Sequence, residues 1–196
     1  MRAPRFECLF CEHCCYFSSE VEYPTVYPWE KRRLEKLAEE HGVRLRFEPI
    51  LVYRAPEGGG CVAAMYRWLV PGFCPFFDRS SRRCKIHDKK PLACRMYPLI
   101  LEMPSGNLMV SGKCDWVRRQ GPRLLKLLEA RPQLIPSTFP AEFRAAREAY
   151  ADFVALTRLA EELGLRPVKD RDKCSVLLDI DEYAARVEKE AGRRNG

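Results

Sequence analysis

The chain of 196 residues carries 34 Lys and Arg against 27 Asp and Glu, a formal charge of +7, and 46% of it is apolar. That length suits one compact domain or a small one with a helical appendage, and this apolar content argues against wholesale disorder. No stretch reaches the roughly 20 consecutive apolar residues of a membrane span, and Met1-Arg2-Ala3-Pro4-Arg5 leads into Phe6-Glu7-Cys8 without an apolar export segment, so a cytoplasmic protein is expected.

The first periodic segment predicts a helix over 28–41: Pro28 suits a first helical position, Leu34, Leu37 and Ala38 share a face, and Gly42 ends it. Val43, Leu45 and Phe47 alternate with Arg44, Arg46 and Glu48, a strand pattern that Ile50, Val52 and Tyr53 extend. Glu57-Gly58-Gly59-Gly60 reads as a loop, because it lacks the spacing of a phosphate cradle. Residues 61–70 read as a strand, and Tyr97–Met103 with Leu108–Val110 as a hairpin around Ser105-Gly106-Asn107. Beyond Cys114 helices are expected over Arg123–Ala130, from Pro140 to Gly164, and from Asp181 through Glu190 to a stop at Gly192. The expected class is α+β: a small, irregular cysteine-rich module with short strands over 1–120, and a helical C-terminal section over 121–196 packed on it.

Ten cysteines, nine of them before residue 115, dominate the composition. In a reducing compartment clustered thiols point to metal or redox chemistry rather than to staples, with disulfide-rich intracellular proteins of hyperthermophiles as the exception. Cys8, Cys11, Cys14 and Cys15 fall within eight residues. Two-residue gaps let thiolates curl around one centre, as in zinc knuckles and bacterial ferredoxins, so Cys8, Cys11 and Cys14 can face one metal. Vicinal side chains point apart, which sends Cys15 towards a second centre or leaves it a free thiol. Cys74, Cys84, Cys94 and Cys114 supply four more donors. Eight thiols allow one [4Fe–4S] with spare sulfurs, two four-cysteine zinc sites, or one of each. His87 and His13 are lesser nitrogen candidates, and His41 suits a helix C-terminus. Cys61 and Cys174 read as buried small hydrophobes or incidental thiols.

Residues 1–120 hold 20 basic and 14 acidic side chains. Arg79, Arg82, Arg83, Lys85, Lys89, Lys90 and Arg95, against Asp88 alone, crowd around Cys84 and Cys94. Four thiolates on zinc or on a cube leave a net charge of about −2, which nearby cations stabilise. No aromatic residues interleave with these cations as in single-strand nucleic-acid grooves, so nucleic acid is not the expected partner.

Cys8-x-x-Cys11-x-x-Cys14-Cys15, followed by Gly72-Phe73-Cys74-Pro75-Phe76-Phe77, Cys84-Lys85-Ile86-His87 and Lys90-Pro91-Leu92-Ala93-Cys94-Arg95-Met96-Tyr97-Pro98, resembles the CxxCxxCC cysteine-cluster (YkgJ-like) family. That family is described as a zinc- or iron-chelating domain and often labelled an iron–sulfur protein. The resemblance covers residues 6–114 in ordered pieces. It implies that Cys8, Cys11, Cys14, Cys15, Cys74, Cys84 and Cys94 are chelating positions, with Cys114 an eighth. The family includes flagellin lysine methylases thought to use iron–sulfur chemistry. Glu12 stands where family members often have glycine, His87 replaces a usual tyrosine and Lys90 a usual arginine. The first bears on loop geometry, since glycine adopts positive φ freely. The lysine forgoes a bidentate fork.

The expected function is therefore metal chelation, with an iron–sulfur cluster favoured and zinc the alternative, in a redox or protein-modification role with an acidic protein or redox partner. A zinc-stabilised, non-catalytic binding module and a protein lysine methylase-like enzyme are the competing readings. No catalytic residue can be named: there is no CxxxCxxC radical motif, no glycine-rich methyl-donor site and no Ser/His/Asp pattern.

Overall fold

The computed structural model of the chain describes residues 4–56, 60–168 and 176–194. In chain order its elements are β1 (Tyr16–Phe17), β2 (Thr25–Val26), α1 (Pro28–His41), β3 (Phe47–Arg54), β4 (Cys61–Trp68), β5 (Gly72–Phe73), β6 (Phe77–Asp78), β7 (Arg83–Cys84), α2 (Leu92–Arg95), β8 (Leu99–Leu101), β9 (Leu108–Val110), α3 (Asp115–Gln120), α4 (Pro122–Ala130), α5 (Ile135–Thr138), α6 (Pro140–Glu162), β10 (Arg166–Pro167), β11 (Val176–Asp179) and α7 (Ile180–Arg194). The α+β class expected from sequence is the class observed. Two compact units form, one from Met1–Pro24 and Val70–Ala151, the other from Thr25–Leu69 and Asp152–Gly196. Residue 120 lies inside the first of these.

The second unit is built on a sheet of order β10-β3-β4-β11, with β2 also paired to β4. β3 and β4 are antiparallel and β11 runs parallel to β4. β4 is buried along its length except at Arg67, which is why Cys61-Val62-Ala63-Ala64-Met65 reads as a continuous apolar run rather than an alternation. α1 begins at Pro28 and ends at Gly42, which adopts the left-handed φ of +63°; Leu34, Leu37 and Ala38 are its buried face. The strand expected from Val43 starts only at Phe47. Gly42 and Val43 spend their amides on the carbonyls of Glu39 and Ala38, so those residues finish the helix before any strand can begin.

Two other expectations are corrected here. α7 starts at Ile180 and continues through Gly192, which costs a helix only about 1 kcal/mol and does not force a stop. Cys61, expected as a small hydrophobe or incidental thiol, is buried but disulfide-bonded. Cys174 and the Glu57–Gly59 part of the expected loop lie outside the described residues.

The first unit has no large sheet. Three two-stranded pairs (β1 with β5, β6 with β7, β8 with β9) sit among short helices. Its apolar core gathers Leu99, Trp116, Val117, Leu124, Leu128, Ile135 and Phe139, with Phe6 and Tyr97 packed against it. Phe6 meets Trp116 edge-on at 5.2 Å, and its amide donates to the Thr138 carbonyl at 2.7 Å. The β8–β9 pair confirms the expected hairpin.

Candidate metal centre

All eight cysteines expected as ligands are free thiols in the first unit. The first four lie on an irregular segment whose shape is set locally. Phe10 takes a left-handed φ of +52°, a short 3-10 turn covers Glu12–Cys14, and the Cys15 amide closes it on the Glu12 carbonyl at 2.8 Å. The positive φ that the Glu12 substitution put in question thus falls at Phe10. β1 then pairs with β5, and the Cys74 amide donates to the Cys15 carbonyl at 2.7 Å. A turn brings Phe77 onto the Cys74 carbonyl, and the β6–β7 pair sets Phe77 opposite Cys84. Asp78 fastens that hairpin: one carboxylate oxygen accepts the Ser80 amide and hydroxyl at 2.9 and 2.7 Å, the other the Ser81 hydroxyl at 2.8 Å. Those bonds hold its carboxyl well below the usual range. Cys94 rides on α2, and Cys114 caps the start of α3.

Charge couples these thiols unevenly. The charge of Cys14 bears on Cys74, Cys84 and Cys94, and Cys94 in turn feels Cys74 and Cys84. Cys15 belongs with them, its sulfur 3.8 Å from that of Cys14. Cys8 and Cys11 bear instead on Cys114. Tyr97 stands between, touched by the charges of Cys114, Cys14 and Cys11, with its hydroxyl 3.3 Å from Ser111 Oγ. Cys14 stays near Cys11 across the 3-10 turn, its Sγ 3.9 Å from the Cys11 carbonyl.

Burial and hydrogen bonding rank the thiols. Cys14 is lowered to about 7 by its hydrogen bond with Cys15 and by the positive charge of Lys90. The same hydrogen bond, with burial, pushes Cys15 far up. Desolvation raises Cys74 to about 12 and raises Cys84, Cys94 and Cys114 as well. Lys90, partly buried, opposes that rise at Cys14, Cys84 and Cys94. Arg83 lies over the Phe10 ring at 4.8 Å, Arg79 over Phe73 at 4.8 Å, and Arg95 pairs with Glu148 at 3.3 Å. Of the basic run, then, Lys90 acts on the sulfurs and these three arginines face other partners. His87 is exposed, and Lys90 holds its ring below the usual histidine range. His13 Nε2 sits 3.2 Å from Asp115 Oδ1.

Among the described residues no three Cys, His, Asp or Glu side chains surround one point closely enough to hold an ion as they stand, so ligation requires side-chain rotation. The donor chemistry fits nonetheless. Thiolates are soft ligands suited to zinc and to iron–sulfur clusters, four of these thiols come from four separate backbone segments, and a cation stands beside them. A family model described as "putative zinc- or iron-chelating domain", CxxCxxCC, matches residues 7–120. The chain belongs to the CxxCxxCC family. An uncharacterized protein of Methanocaldococcus jannaschii, MJ0661, is 27% identical over 106 residues, 54% of this chain. The matched part spans about half of that relative, 51% of its length. No solved structure matches the chain.

Within this CxxCxxCC domain the first unit holds eight free thiols, and the charge of Lys90 bears on Cys14, Cys84 and Cys94. Bound zinc would supply a closed, redox-inert centre, and an iron–sulfur cluster one-electron chemistry. Tyr97 and Asp115 went unnoticed in the sequence. Tyr97 was visible only as part of Arg95-Met96-Tyr97-Pro98, and Asp115 only as the neighbour of Cys114. Among the described residues no helix is long and apolar enough to cross a membrane.

Proposed function

We propose that the protein chelates an iron–sulfur cluster through Cys14, Cys74, Cys84 and Cys94 and serves a redox role. What supports this is that four free thiols on four segments are coupled to one another by charge, with the Cys15 sulfur 3.8 Å from that of Cys14. A donor hydrogen bond and a neighbouring cation matter most to a centre that gains negative charge during turnover. Both favour the reduced form and raise the potential. A closed zinc site never changes its charge and has no such need. The centre belongs in a reducing compartment such as the cytoplasm, where eight thiols stay free. Exposed Arg79, Arg82, Arg83, Lys85 and Lys89 suit docking of an acidic electron partner.

Anaerobic purification from iron-replete cells tests this. The expected product is brown, with iron, acid-labile sulfide and broad visible absorption that bleaches on reduction. Colourless protein with stoichiometric zinc and no iron would replace this reading with a zinc-stabilised binding module.

A further inference from the structure

Beside its thiols the first unit presents an apolar and cationic surface that its core does not use. Of the six large hydrophobic residues exposed among the described residues, Leu9, Phe10, Tyr16 and Val21 fall between residues 9 and 21. We infer that Phe10, Tyr16 and Phe73, with the guanidinium groups of Arg79 and Arg83, form a docking face for an acidic segment of a partner protein that also carries apolar side chains. This rests on the reading of an acidic partner given above, names the residues that hold that partner, and is independent of the metal the thiols carry.

The surface is continuous although its residues come from separate segments. Arg83 lies over the Phe10 ring at 4.8 Å. In the β6–β7 pair it stands opposite Asp78, next to Phe77, whose ring stacks on Phe73 at 5.7 Å. Tyr16, opposite Phe73 in the β1–β5 register, meets that ring at 4.8 Å, and Arg79 lies over it at 4.8 Å. Phe77 is buried, while Tyr16 and Phe10 are 44% and 46% exposed, so the floor is packed and the outer rings are open. Phe10 and Arg82 take left-handed φ values of +52° and +55°, uncommon for large side chains. One such residue lies in each of the two segments that the Phe10–Arg83 contact joins, and strain of this kind collects at recognition sites.

Singly scattered exposed hydrophobes mean little, but a linked group marks an interaction site, and aromatic and arginine side chains are what interface centres are enriched in. A guanidinium held over a ring has lost part of its freedom before a partner arrives and keeps its N–H fork for a carboxylate. Among the described residues neither Arg79 nor Arg83 pairs with a carboxylate. Arg82, Lys85 and Lys89 are exposed in the same stretch, where Asp88 is the sole acid between residues 79 and 90, so the face attracts negative charge. Single-stranded nucleic acid is the other polyanion that rings and cations bind, by stacking bases on open ring faces. Here Arg83 lies on Phe10, and Phe77 and Arg79 lie on Phe73, so a stacking base competes with those groups, whereas a carboxylate bonds to the guanidinium where it sits. The face also adjoins the sulfurs along the chain. Phe10 is next to Cys11, Tyr16 to Cys15, Phe73 to Cys74 and Arg83 to Cys84, and in every pair the cysteine is the more buried.

Fluorescence anisotropy of the full chain, purified anaerobically, with a fluorescein-labelled peptide alternating glutamate and phenylalanine tests this. Polyglutamate of the same length and an oligouridylate are the comparison probes, and iron is assayed on each sample. The mixed peptide is expected to bind tightest and to weaken as salt rises. Phe10→Ala and Arg83→Gln are each expected to weaken it about 10-fold, and Met109→Ala, at an exposed position outside the face, by about twofold or less. Wild type that fails to bind the mixed peptide, or binds it no better than polyglutamate and without loss on Phe10→Ala, overturns the docking face. Tighter binding of the oligouridylate than of either peptide overturns it in favour of single-stranded nucleic acid. Absent iron with peptide binding intact overturns the iron–sulfur reading alone, and retained iron without peptide binding overturns the docking face alone.

Discussion

Cys14 Sγ and Cys15 Sγ lie 3.8 Å apart on adjacent residues, and their ionisation is split, Cys14 lowered to about 7 and Cys15 raised far above its usual value. In metal-stripped protein, iodoacetamide is expected to alkylate Cys14 with half-maximal rate near pH 7, where it ionises. Cys74, raised to about 12, is expected to stay unmodified across the neutral range. Peptide mapping by mass spectrometry reads both, and equal labelling of the two at pH 7 would contradict the assignment. The same pair predicts that Cys15→Ser retains iron, since a hydroxyl still donates, while Cys14→Ser loses it.

Lys90 is the cation whose charge reaches Cys14, Cys84 and Cys94. Replacing it with methionine keeps the length of the stem and removes the charge. The expected result is about 10-fold weaker metal retention, measured by competition with a chelator. Lys85→Met, at an exposed residue of the same basic run, is expected to change retention little.

The longer helices were legible from period and punctuation: Pro28 and Gly42 mark α1, the leucines of 124–128 mark α4 and Pro140 opens α6. The short α2, α3 and α5 carry too few residues to show a period. The pairs β1–β5 and β6–β7 were not legible, because two-residue strands carry no period and are defined by a distant partner: Tyr16 meets Phe73, and Phe77 meets Cys84. The eight free cysteines of the first unit were legible as a set of sulfurs. Their placement was hidden, since it depends on the 3-10 turn at Glu12–Cys14 and on the Cys74 amide meeting the Cys15 carbonyl, contacts that spacing alone does not encode. Alternation over Val43–Arg46 misled for the opposite reason: a helix end there consumed the amides a strand would have used.

In the other unit, Asp179 is buried at 7% exposure and accepts the Tyr66 hydroxyl on one oxygen and Arg32 Nη1 at 2.9 Å on the other. Burial, then the Asp179 contact, raises Tyr66 above its usual range, so the phenol remains a donor. Asp179→Asn removes the charge that pairs with Arg32 and sets an NH2 donor against one of the two donors, and a loss of about 3 kcal/mol in denaturant unfolding is expected. Asp181, a third exposed, pairs with the same arginine from a wetter position, and Asp181→Asn is expected to cost about 1 kcal/mol or less.

Glu22 illustrates a pH-dependent contribution. The Lys113 ammonium, with Ser18, holds its carboxyl below the ordinary glutamate range. A carboxyl lowered in the folded state adds stability above its unfolded pKa and loses it as pH falls through the folded value. Lys113 is more than half exposed, so solvent screening keeps the pair small. Lys113→Ala is expected to destabilise by under about 1 kcal/mol at pH 7 and by less at pH 3, below the ordinary glutamate value. Equal destabilisation at both values would show that the lysine acts through packing.

Thr138 offers the reverse case, a residue whose replacement should help. It is fully buried at 0% exposure, its carbonyl accepts the Phe6 amide, and its hydroxyl finds no partner among the described residues. An unpaired buried hydroxyl has lost its water bonds without replacement, at a cost of about 1–3 kcal/mol. Valine has nearly the same shape and no such group, so Thr138→Val is expected to raise stability by about 1 kcal/mol, or about 2–4 °C in Tm. Thr138→Ser keeps the hydroxyl and deletes the methyl; it is expected to lower stability through the small cavity left beside Phe139 in the same core. Calorimetry on the two variants should therefore move in opposite directions, and a valine variant less stable than wild type would mean that the hydroxyl is satisfied in solution.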